Sequence, residues 1–299
     1  MNRMFSIIIP TYNRSAYLSK LLMRLRSCSI TGCELIVIDD GSTDNTKEVV
    51  EDFKYAKYHW QENSGVSAAR NAGVSFSKNK WLLFVDSDDD VSDDWFVSFY
   101  KEILDEDCIG YVSCGFCEYD VNGFIKKTIF PECQGPMFHD QRLNYLAGTF
   151  AVHRNIFDAV GGYAEELRFA ENTELALRII EYCIKNNLSI QCIDKPLLHY
   201  YPSSFNSQES MTAEQTSRRL YAVKYFLEHH RKAFERDKKA LANYLAIAGV
   251  NAGRLGLHEE AKSFLLQAIK TTPSNWRNYA RFARQLLRLM VMLDHKLTA

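Results

Sequence analysis

Residues 81–95 read WLLFVDSDDDVSDDW, a short apolar run followed at once by a dense acidic segment. Trp81 to Val85 has the length and continuous hydrophobicity of a strand buried on both faces, which is typical of a parallel sheet. Crowded carboxylates repel one another unless a cation neutralises them, and the alternate residues Asp86 and Asp88 can face one hard divalent ion. All-oxygen ligation suits Mg²⁺ or Mn²⁺. The sequence therefore predicts a metal at the end of this strand, and the metal would in turn hold a diphosphate.

Strand and helix signals alternate upstream of this segment. Phe5 to Ile9 and Leu35 to Ile38 predict two further buried strands, and Tyr58 to Trp60 predicts a weaker one. The stretches between the strands have helical patterns: AYLSKLLMRL at 16–25, TDNTKEVVEDF at 43–53 and VSAARNAGVSF at 66–76. This order predicts an α/β fold with a doubly wound, mostly parallel sheet.

Polar clusters follow three of the predicted strands. They are Pro10-Thr11-Tyr12, Asp39-Asp40 and the segment that begins at Asp86. Ligands of open parallel sheets bind beyond the carboxyl ends of the strands, so we expect these clusters to share one site. An aspartate at a strand end can also do no more than cap the next helix, and for Asp39 that alternative is equally strong.

These clusters belong to four motifs that occur in order along the chain: SIIIPTYNR at 6–14, ELIVIDDGSTD at 34–44, NSGVSAARNAG at 63–73 and the segment at 81–95. Together they resemble the family 2 glycosyltransferases of the GT-A fold. Residues 161–179, GGYAEELRFAENTELALRI, resemble the acceptor-side motif of that family. The resemblance covers roughly residues 3 to 205, about two-thirds of the chain.

The resemblance implies an inverting transfer of a sugar from a nucleotide-diphosphate donor, with UDP-sugars the commonest, to a glycan or lipid-linked hydroxyl. Mn²⁺ or Mg²⁺ would stabilise the departing diphosphate. It implies metal ligation by Asp88 and Asp86, and His199 is a further candidate beside the diphosphate, although a lone histidine next to tyrosines is more often an ordinary strand residue. The residues implied in nucleotide binding are Pro10, Thr11, Tyr12, Asp39, Asp40, Gly65, Arg70 and Asp86.

The acceptor-side motif departs from the family at residue 172. The family has Glu-Asp there, with the aspartate as catalytic base, whereas this chain has Glu171-Asn172. An amide is no useful base near neutral pH, so the sequence favours Glu171, with Glu174 as the alternative on the same helical face. A missing base is the third reading, and it would make the protein a weak or inactive nucleotide-sugar-binding scaffold.

The C-terminal part changes character. We predict a glycosyltransferase domain at 1–205 and an all-α region at 206–299, within which residues 242–275 resemble one tetratricopeptide repeat. Residues 203–217 are interpreted either as a lid over the donor or as a plain linker. The repeat is expected to pack on the catalytic domain or to mediate self-association.

Charge and hydropathy limit the partners. The net charge is −1 and the pI about 6.7, so no overall field recruits nucleic acid. No apolar run reaches the roughly 18 residues of a membrane span, and a cytoplasmic protein with free thiols is expected.

Four arginines form one stripe along the last predicted helix, which either docks peripherally on an anionic membrane or caps the preceding hairpin. They are Arg277, Arg281, Arg284 and Arg288.

Overall fold

The computed structural model describes residues 4–28, 32–104, 108–202 and 212–284. The chain divides into two compact units, Met1–Gln134 with Phe138–Ser204, and Gly135–Met137 with Phe205–Ala299. The domain boundary at residues 205 and 206 stays a prediction, which separate expression of the two parts would test.

One large sheet dominates the first unit, and within the described residues it contains nine strands. The strands of this sheet are β1 (Phe5–Thr11), β2 (Glu34–Asp39), β3 (Ala56–Trp60), β4 (Trp81–Phe84), β5 (Asp90–Val91), β6 (Ile109–Tyr119), β7 (Ile125–Ile129), β10 (Phe150–His153) and β11 (Ser189–Tyr200). A separate ribbon pairs β8 (Glu132–Cys133) with β9 (Arg142–Leu143).

The strand order is β3-β2-β1-β4-β10-β6-β11-β5, with β7 paired to β6. The first four strands are mutually parallel, as their buried apolar sequences predict. Strand β10 is antiparallel to both of its neighbours, whereas β11 runs parallel to β6. The predicted α/β class is thus confirmed, with a mixed, mostly parallel sheet.

The helices of the first unit are α1 (Ser15–Ser27), α2 (Thr46–Asp52), α3 (Val66–Phe76), α4 (Trp95–Leu104), α5 (Arg154–Ala159) and α6 (Glu171–Lys185). Helix α3 lies close to the sheet because its inner face is built from small residues. At Gly73, an added Cβ would lie 2.4 Å from the side chain of Ile8. The composition of this helix therefore fixes its distance from β1, and with it the position of Arg70.

The predicted hairpin at Asn122-Gly123 joins β6 to β7. Gly123 has a φ of 81°, which glycine adopts without strain, and Asp120 accepts hydrogen bonds from the backbone of Asn122 and Phe124. The hairpin follows the carboxyl end of β6, which points in the same direction as β4 because β10 is antiparallel to both strands.

The second unit is helical: α7 (Ala213–His229), α8 (Arg231–Arg236), α9 (Lys238–Arg254) and α10 (His258–Thr271). Helices α9 and α10 form a hairpin in which Ala261 and Ala268 are fully buried, and a Cβ at Gly249 would lie 2.6 Å from Leu265. The helical hairpin is confirmed, while its assignment as a tetratricopeptide repeat stays a prediction. None of the described helices is long and apolar enough to cross a lipid bilayer.

Candidate functional site

The carboxyl ends of β2, β1 and β4 lie side by side because these strands are parallel neighbours. Thr11 pairs with Asp39 in the sheet register, and the backbone N–H of Asp40 donates to the carbonyl of Thr11 at 2.9 Å. Asp86 follows two residues after the end of β4. The structure thus places the three predicted polar clusters at one edge of the sheet. Pro10 is buried at this edge, and the Tyr12 ring is half exposed.

Asp39 and Asp40 are both buried and both well supplied with donors. Asp39 accepts from the backbone of Ser42 at 2.8 Å and from the hydroxyl of Tyr58 at 2.7 Å. Asp40 accepts from the amide of Gln61 and from the backbone N–H groups of Ser64 and Gly65, at 2.7, 2.8 and 2.7 Å. An ionised carboxylate has about four acceptor positions, so Asp40 keeps about one for a ligand. Its main work in the structure is to fix the loop before α3.

Gly65 immediately precedes that helix, and its backbone conformation is one that other residues adopt only with strain. Its φ is 88°, and a Cβ at this position would lie 1.0 Å from Nη1 of Arg168. Arg168 is itself exposed and comes from the acceptor-side motif. The absence of a side chain at Gly65 thus leaves the space that the guanidinium of Arg168 occupies.

Arg70, on α3, links the two sides of the site. Its side chain is 1% exposed, and it donates to Asp86 at 2.6 Å and to Glu171 at 3.1 Å. The guanidinium carbon lies 5.0 Å from the centre of the Tyr163 ring. Burial alone would lower the pKa of this guanidinium, but Asp86, Tyr163 and Glu171 raise it, so Arg70 stays charged. A buried arginine with two carboxylate partners fixes the relative positions of those partners.

The acidic segment, Asp86 to Asp94, is crowded at its beginning. Asp88 is paired with Arg14 at 2.6 Å, and the pKa of Asp88 is raised by burial and by Asp86. The pKa of Asp89 is raised well above its usual value by burial, by Asp86 and by Asp88. Both shifts show carboxylates whose ionised forms are under-compensated by the protein.

The end of the acidic segment is bound differently. Arg24 donates to Asp90 at 3.2 Å and to Asp93 at 2.9 Å. Asp88 also has a nearby arginine, Arg14, so what sets Asp88 and Asp89 apart is their burial, which raises their pKa values.

Three buried polar atoms at this edge have no hydrogen-bond partner among the described residues: Oγ1 of Thr11, Nε of Arg70 and Oγ of Ser87. Leaving such a group unpaired costs about 1–3 kcal/mol, so these atoms indicate groups that a bound molecule, water or ligand, satisfies. All three belong to the motifs that the sequence singles out.

His199 does not join Asp86 and Asp88. It pairs with Asp90 across β5 and β11, its ring lies 5.4 Å from that of Tyr119, and burial lowers its pKa while Asp90 opposes the shift. Across the described ranges, no group of three histidine, cysteine, aspartate or glutamate residues is arranged to hold a metal ion. A place for His199 beside the diphosphate stays a prediction.

Glu171 is the first residue of α6 and lies beside Arg70. Its carboxylate is 15% exposed, and among the described residues only Oε1 accepts hydrogen bonds, from Arg70 at 3.1 Å and from Nδ2 of Asn172 at 3.4 Å. Oδ1 of Asn172 accepts from the hydroxyl of Tyr163 at 3.0 Å. The residue that departs from the family thus contacts the candidate base directly.

Glu174, the alternative base, is 1% exposed and forms a two-pronged ion pair with Arg178. Arg178 in turn donates to the carbonyl of Val160 at 2.6 Å. A carboxylate held this way inside the protein cannot meet an acceptor hydroxyl, so the structure corrects this prediction and Glu174 becomes a structural residue.

Two groups near the site were missed by sequence reasoning. Arg14 lies within the first motif, and its pairing with Asp88 could have been suspected from opposite charges on two motifs of one site. No sequence pattern indicates that Tyr163 contacts both Arg70 and Asn172. Of the predicted lid, residues 203–211 lie outside the described residues, as does Arg288 of the arginine stripe.

The profile of glycosyl transferase family 2 matches residues 6–170, more than half of the chain. The chain belongs to this family. Glycosyltransferase GlyG of Streptococcus pneumoniae is 26% identical over 164 residues, which are 52% of this chain and 54% of GlyG. The chain thus spans about half of the length of that relative.

Two solved structures show the same fold as this chain. S. aureus TarS 1-349 in complex with UDP-GlcNAc matches 94% of this chain and 89% of its own, with a TM-score of 0.60 and 18% identity. The mannosyltransferase PcManGT from Pyrobaculum calidifontis, in complex with GDP-Man and Mn²⁺, matches 97% and 81%, with a TM-score of 0.56 and 16% identity. At such identities the likeness concerns the fold.

Proposed function

We propose that this protein is a metal-dependent, inverting glycosyltransferase that moves a sugar from a nucleotide-diphosphate donor, a UDP-sugar, to a hydroxyl of a glycan or lipid-linked acceptor. One observation carries the proposal. A buried arginine, Arg70, holds the donor-side carboxylate of Asp86 and the acceptor-side carboxylate of Glu171 together at the edge of the sheet where ligands bind.

The donor side has the chemistry that a divalent ion needs. The ionised form of Asp88 is disfavoured by burial and by Asp86, and a cation would relieve both penalties. Mg²⁺ is usually held by one or two carboxylates together with phosphate oxygens and water, so a set of three protein ligands is not required. Asp88 and Asp86 would hold the ion, and Mn²⁺ suits the same ligands. When bound, the ion would stabilise the negative charge of the diphosphate leaving group.

The residues of the chain then have separate tasks. Asp40 holds the loop on which Gly65 lies. The hydroxyl of Thr11, which has no partner among the described residues, would bind the nucleotide, and the half-exposed ring of Tyr12 would lie beside it. On the acceptor side, Oε2 of Glu171 accepts no hydrogen bond within the described residues, so it can take the proton of an acceptor hydroxyl. Attack from the face opposite the diphosphate inverts the anomeric carbon.

The choice of donor is tested by measuring release of nucleoside diphosphate from a panel of UDP-, GDP- and dTDP-sugars, with Mn²⁺, Mg²⁺ or EDTA. We expect release from UDP-sugars with a divalent ion and none with EDTA. Inversion is tested by proton NMR of the product, which should be β-linked when the donor sugar is α-linked. An α-linked product, or turnover that survives EDTA, contradicts the mechanism.

Asn172 favours a second candidate, a scaffold that binds the nucleotide sugar and transfers little or nothing. The panel separates the two, since a scaffold would bind UDP in calorimetry and release no diphosphate from any donor. Asp93→Asn is a suitable control variant for the donor panel, because Asp93 is 82% exposed and is paired with Arg24. We expect it to bind UDP and to release diphosphate as the wild type does.

Peripheral membrane contact through the C-terminal helix belongs to the same proposal. Residues 276–284 are helical, and they include Arg277, Arg281 and Arg284. Flotation with anionic vesicles at low and high salt tests the contact, with the variant Arg277→Gln/Arg284→Gln as comparison. A protein that never floats at low salt leaves the helix with a structural role, including self-association.

A further inference from the structure

The amide at residue 172 makes one contact that an aspartate could not make. A carboxylate only accepts hydrogen bonds, so Asn172 must turn Nδ2 towards Glu171, and the contact measures 3.4 Å. Oδ1 is then left to accept from the hydroxyl of Tyr163 at 3.0 Å. An aspartate could accept from Tyr163 in the same way, but towards Glu171 it would present a second negative charge instead of a donor.

Both donors to Glu171 converge on one oxygen. Arg70 and Asn172 both bind Oε1, and Oε2 has no partner within the described residues. Two fixed donors on one oxygen define the plane of the carboxyl group and leave the other oxygen open. This is the arrangement expected of a base that must point one lone pair at a substrate hydroxyl.

Tyr163 supports both donors at once. Its ring lies under the guanidinium of Arg70 at 5.0 Å, and its hydroxyl binds Asn172. The phenol is buried, and burial raises its pKa, so it stays protonated and able to donate. Tyr163, Asn172 and Arg70 thus form a continuous support around Glu171.

We propose that Asn172 is a positioning residue, held by Tyr163, that orients Glu171 as the catalytic base of this chain. The inference rests on the proposed function and deepens it, because the departure from the family becomes a relocated base instead of a lost one. In the step, Oε2 of Glu171 takes the proton of the acceptor hydroxyl. The hydroxyl oxygen forms the bond to the anomeric carbon, and the bond from that carbon to the diphosphate oxygen breaks with its electron pair on the diphosphate.

The decisive variant is Asn172→Asp, which restores the residue of the family. We expect kcat to fall about 10-fold or more, because the donor to Glu171 is lost and a like charge is added beside it. The KM for the donor and the Kd for UDP from calorimetry should change less than about twofold, since Asn172 does not contact the donor side. An acidic residue in the first turn of α6 favours the helix, so the variant should fold.

A kcat for Asn172→Asp that equals or exceeds that of the wild type overturns the inference. If Asn172→Asp turns over donor while the wild type does not, the base is lost in this chain, and both the inference and the proposed active enzyme fall. If the wild type is active and Asn172→Asp is equally active, only the inference falls.

Tyr163→Phe provides a second, independent variant. It removes the hydroxyl that holds Asn172 but keeps the ring on Arg70, so kcat should fall about three- to tenfold with little change in KM. An unchanged kcat overturns the role of the hydroxyl. Asn186→Asp is the matched control, an identical substitution at an exposed position at the other end of α6, and it should leave kcat unaltered.

Discussion

Two pairs of carboxylates at the same edge of the sheet, Asp39 with Asp40 and Asp88 with Asp89, differ in the number of hydrogen-bond donors that surround them. The acidic pair, Asp39 and Asp40, follows β2 and accepts five hydrogen bonds from side chains and backbone. The acidic segment follows β4, and there Asp88 has one arginine and Asp89 accepts one backbone N–H, from Tyr201 at 3.1 Å. Two acidic sequences that both follow a parallel strand thus differ in how many hydrogen bonds the protein donates to their carboxylates.

The difference separates carboxylates that stabilise the folded loop from carboxylates whose charge the protein leaves poorly compensated. Donors satisfy the acidic pair, so its charge stabilises the folded loop. The acidic segment keeps raised pKa values at Asp88 and Asp89, so its charge is a cost that a cation would offset. Substitution should therefore lower stability in the first cluster and activity in the second.

The largest effect is expected for Asp88→Asn. Loss of the proposed metal ligand would remove several kcal/mol of transition-state stabilisation, and we expect kcat/KM to fall at least about 100-fold. The free energy of unfolding should change by less than about 0.5 kcal/mol, because the pair with Arg14 is partly exposed and its loss is offset by reduced repulsion. Steady-state kinetics and urea unfolding measure the two quantities. A variant that loses stability but keeps its activity would reverse the comparison.

The opposite pattern is expected for Asp40→Asn. The new amide cannot accept from the N–H of Gly65, and in a buried position this mismatch should lower the free energy of unfolding by about 2 kcal/mol. Urea unfolding of the metal-free protein measures it, with Asp93→Asn as the exposed control. If Asp40→Asn is as stable as this control, the hydrogen bonds to the loop do not stabilise the fold and the comparison fails.

The strands and the polar clusters could be predicted from the sequence. The different supply of hydrogen-bond donors to the acidic pair and to the acidic segment could not. Continuous apolar runs such as Phe5 to Ile9 specify buried parallel strands, because few other structures bury every residue of a short run. The donors to Asp40 come from Gln61, Ser64 and Gly65, which are more than twenty residues away along the chain. Whether such donors reach a carboxylate depends on the register of β3 and the start of α3, which no local pattern encodes.

The structure corrects one predicted site residue, Glu174. Glu174 and Arg178 are four apart on one helix, a spacing that already predicts an ion pair, so this error was avoidable. The pairing of His199 with Asp90 gives no such signal, because Asp90 belongs to a two-residue strand, β5, which is too short to leave a pattern in the sequence.

A smaller effect of opposite sign is expected for Asp89→Asn. Asp89 is 7% exposed, and its raised pKa shows that the ionised form is disfavoured by burial, by Asp86 and by Asp88. The amide oxygen of asparagine can still accept from Tyr201, so removing the charge should raise the free energy of unfolding by about 1 kcal/mol at pH 7.5 in EDTA. A loss of stability in calorimetric melting would mean that Asp89 is satisfied like the acidic pair.

The smallest effect concerns Glu34, a buried carboxylate at the start of β2 that serves as a reference far from the acidic segment. Burial alone would raise its pKa, but the hydrogen bonds from Lys57, the backbone of Lys78 and Ser6 lower the pKa below its usual value of 4.5. The unfolded chain therefore binds more protons than the folded one just below pH 4.5. The stabilisation by Glu34 is complete above that pH and is lost as the pH falls through the folded pKa.

Glu34→Gln should accordingly reduce stability at pH 7 and lose this disadvantage progressively below about pH 4.5. Urea unfolding of both proteins between pH 3 and 7 measures the difference. A constant difference across the range would mean that Glu34 stabilises β2 by shape and not by charge. A difference that grows towards low pH would place Glu34 with the crowded carboxylates, because only a raised pKa makes the ionised form a cost that acid removes.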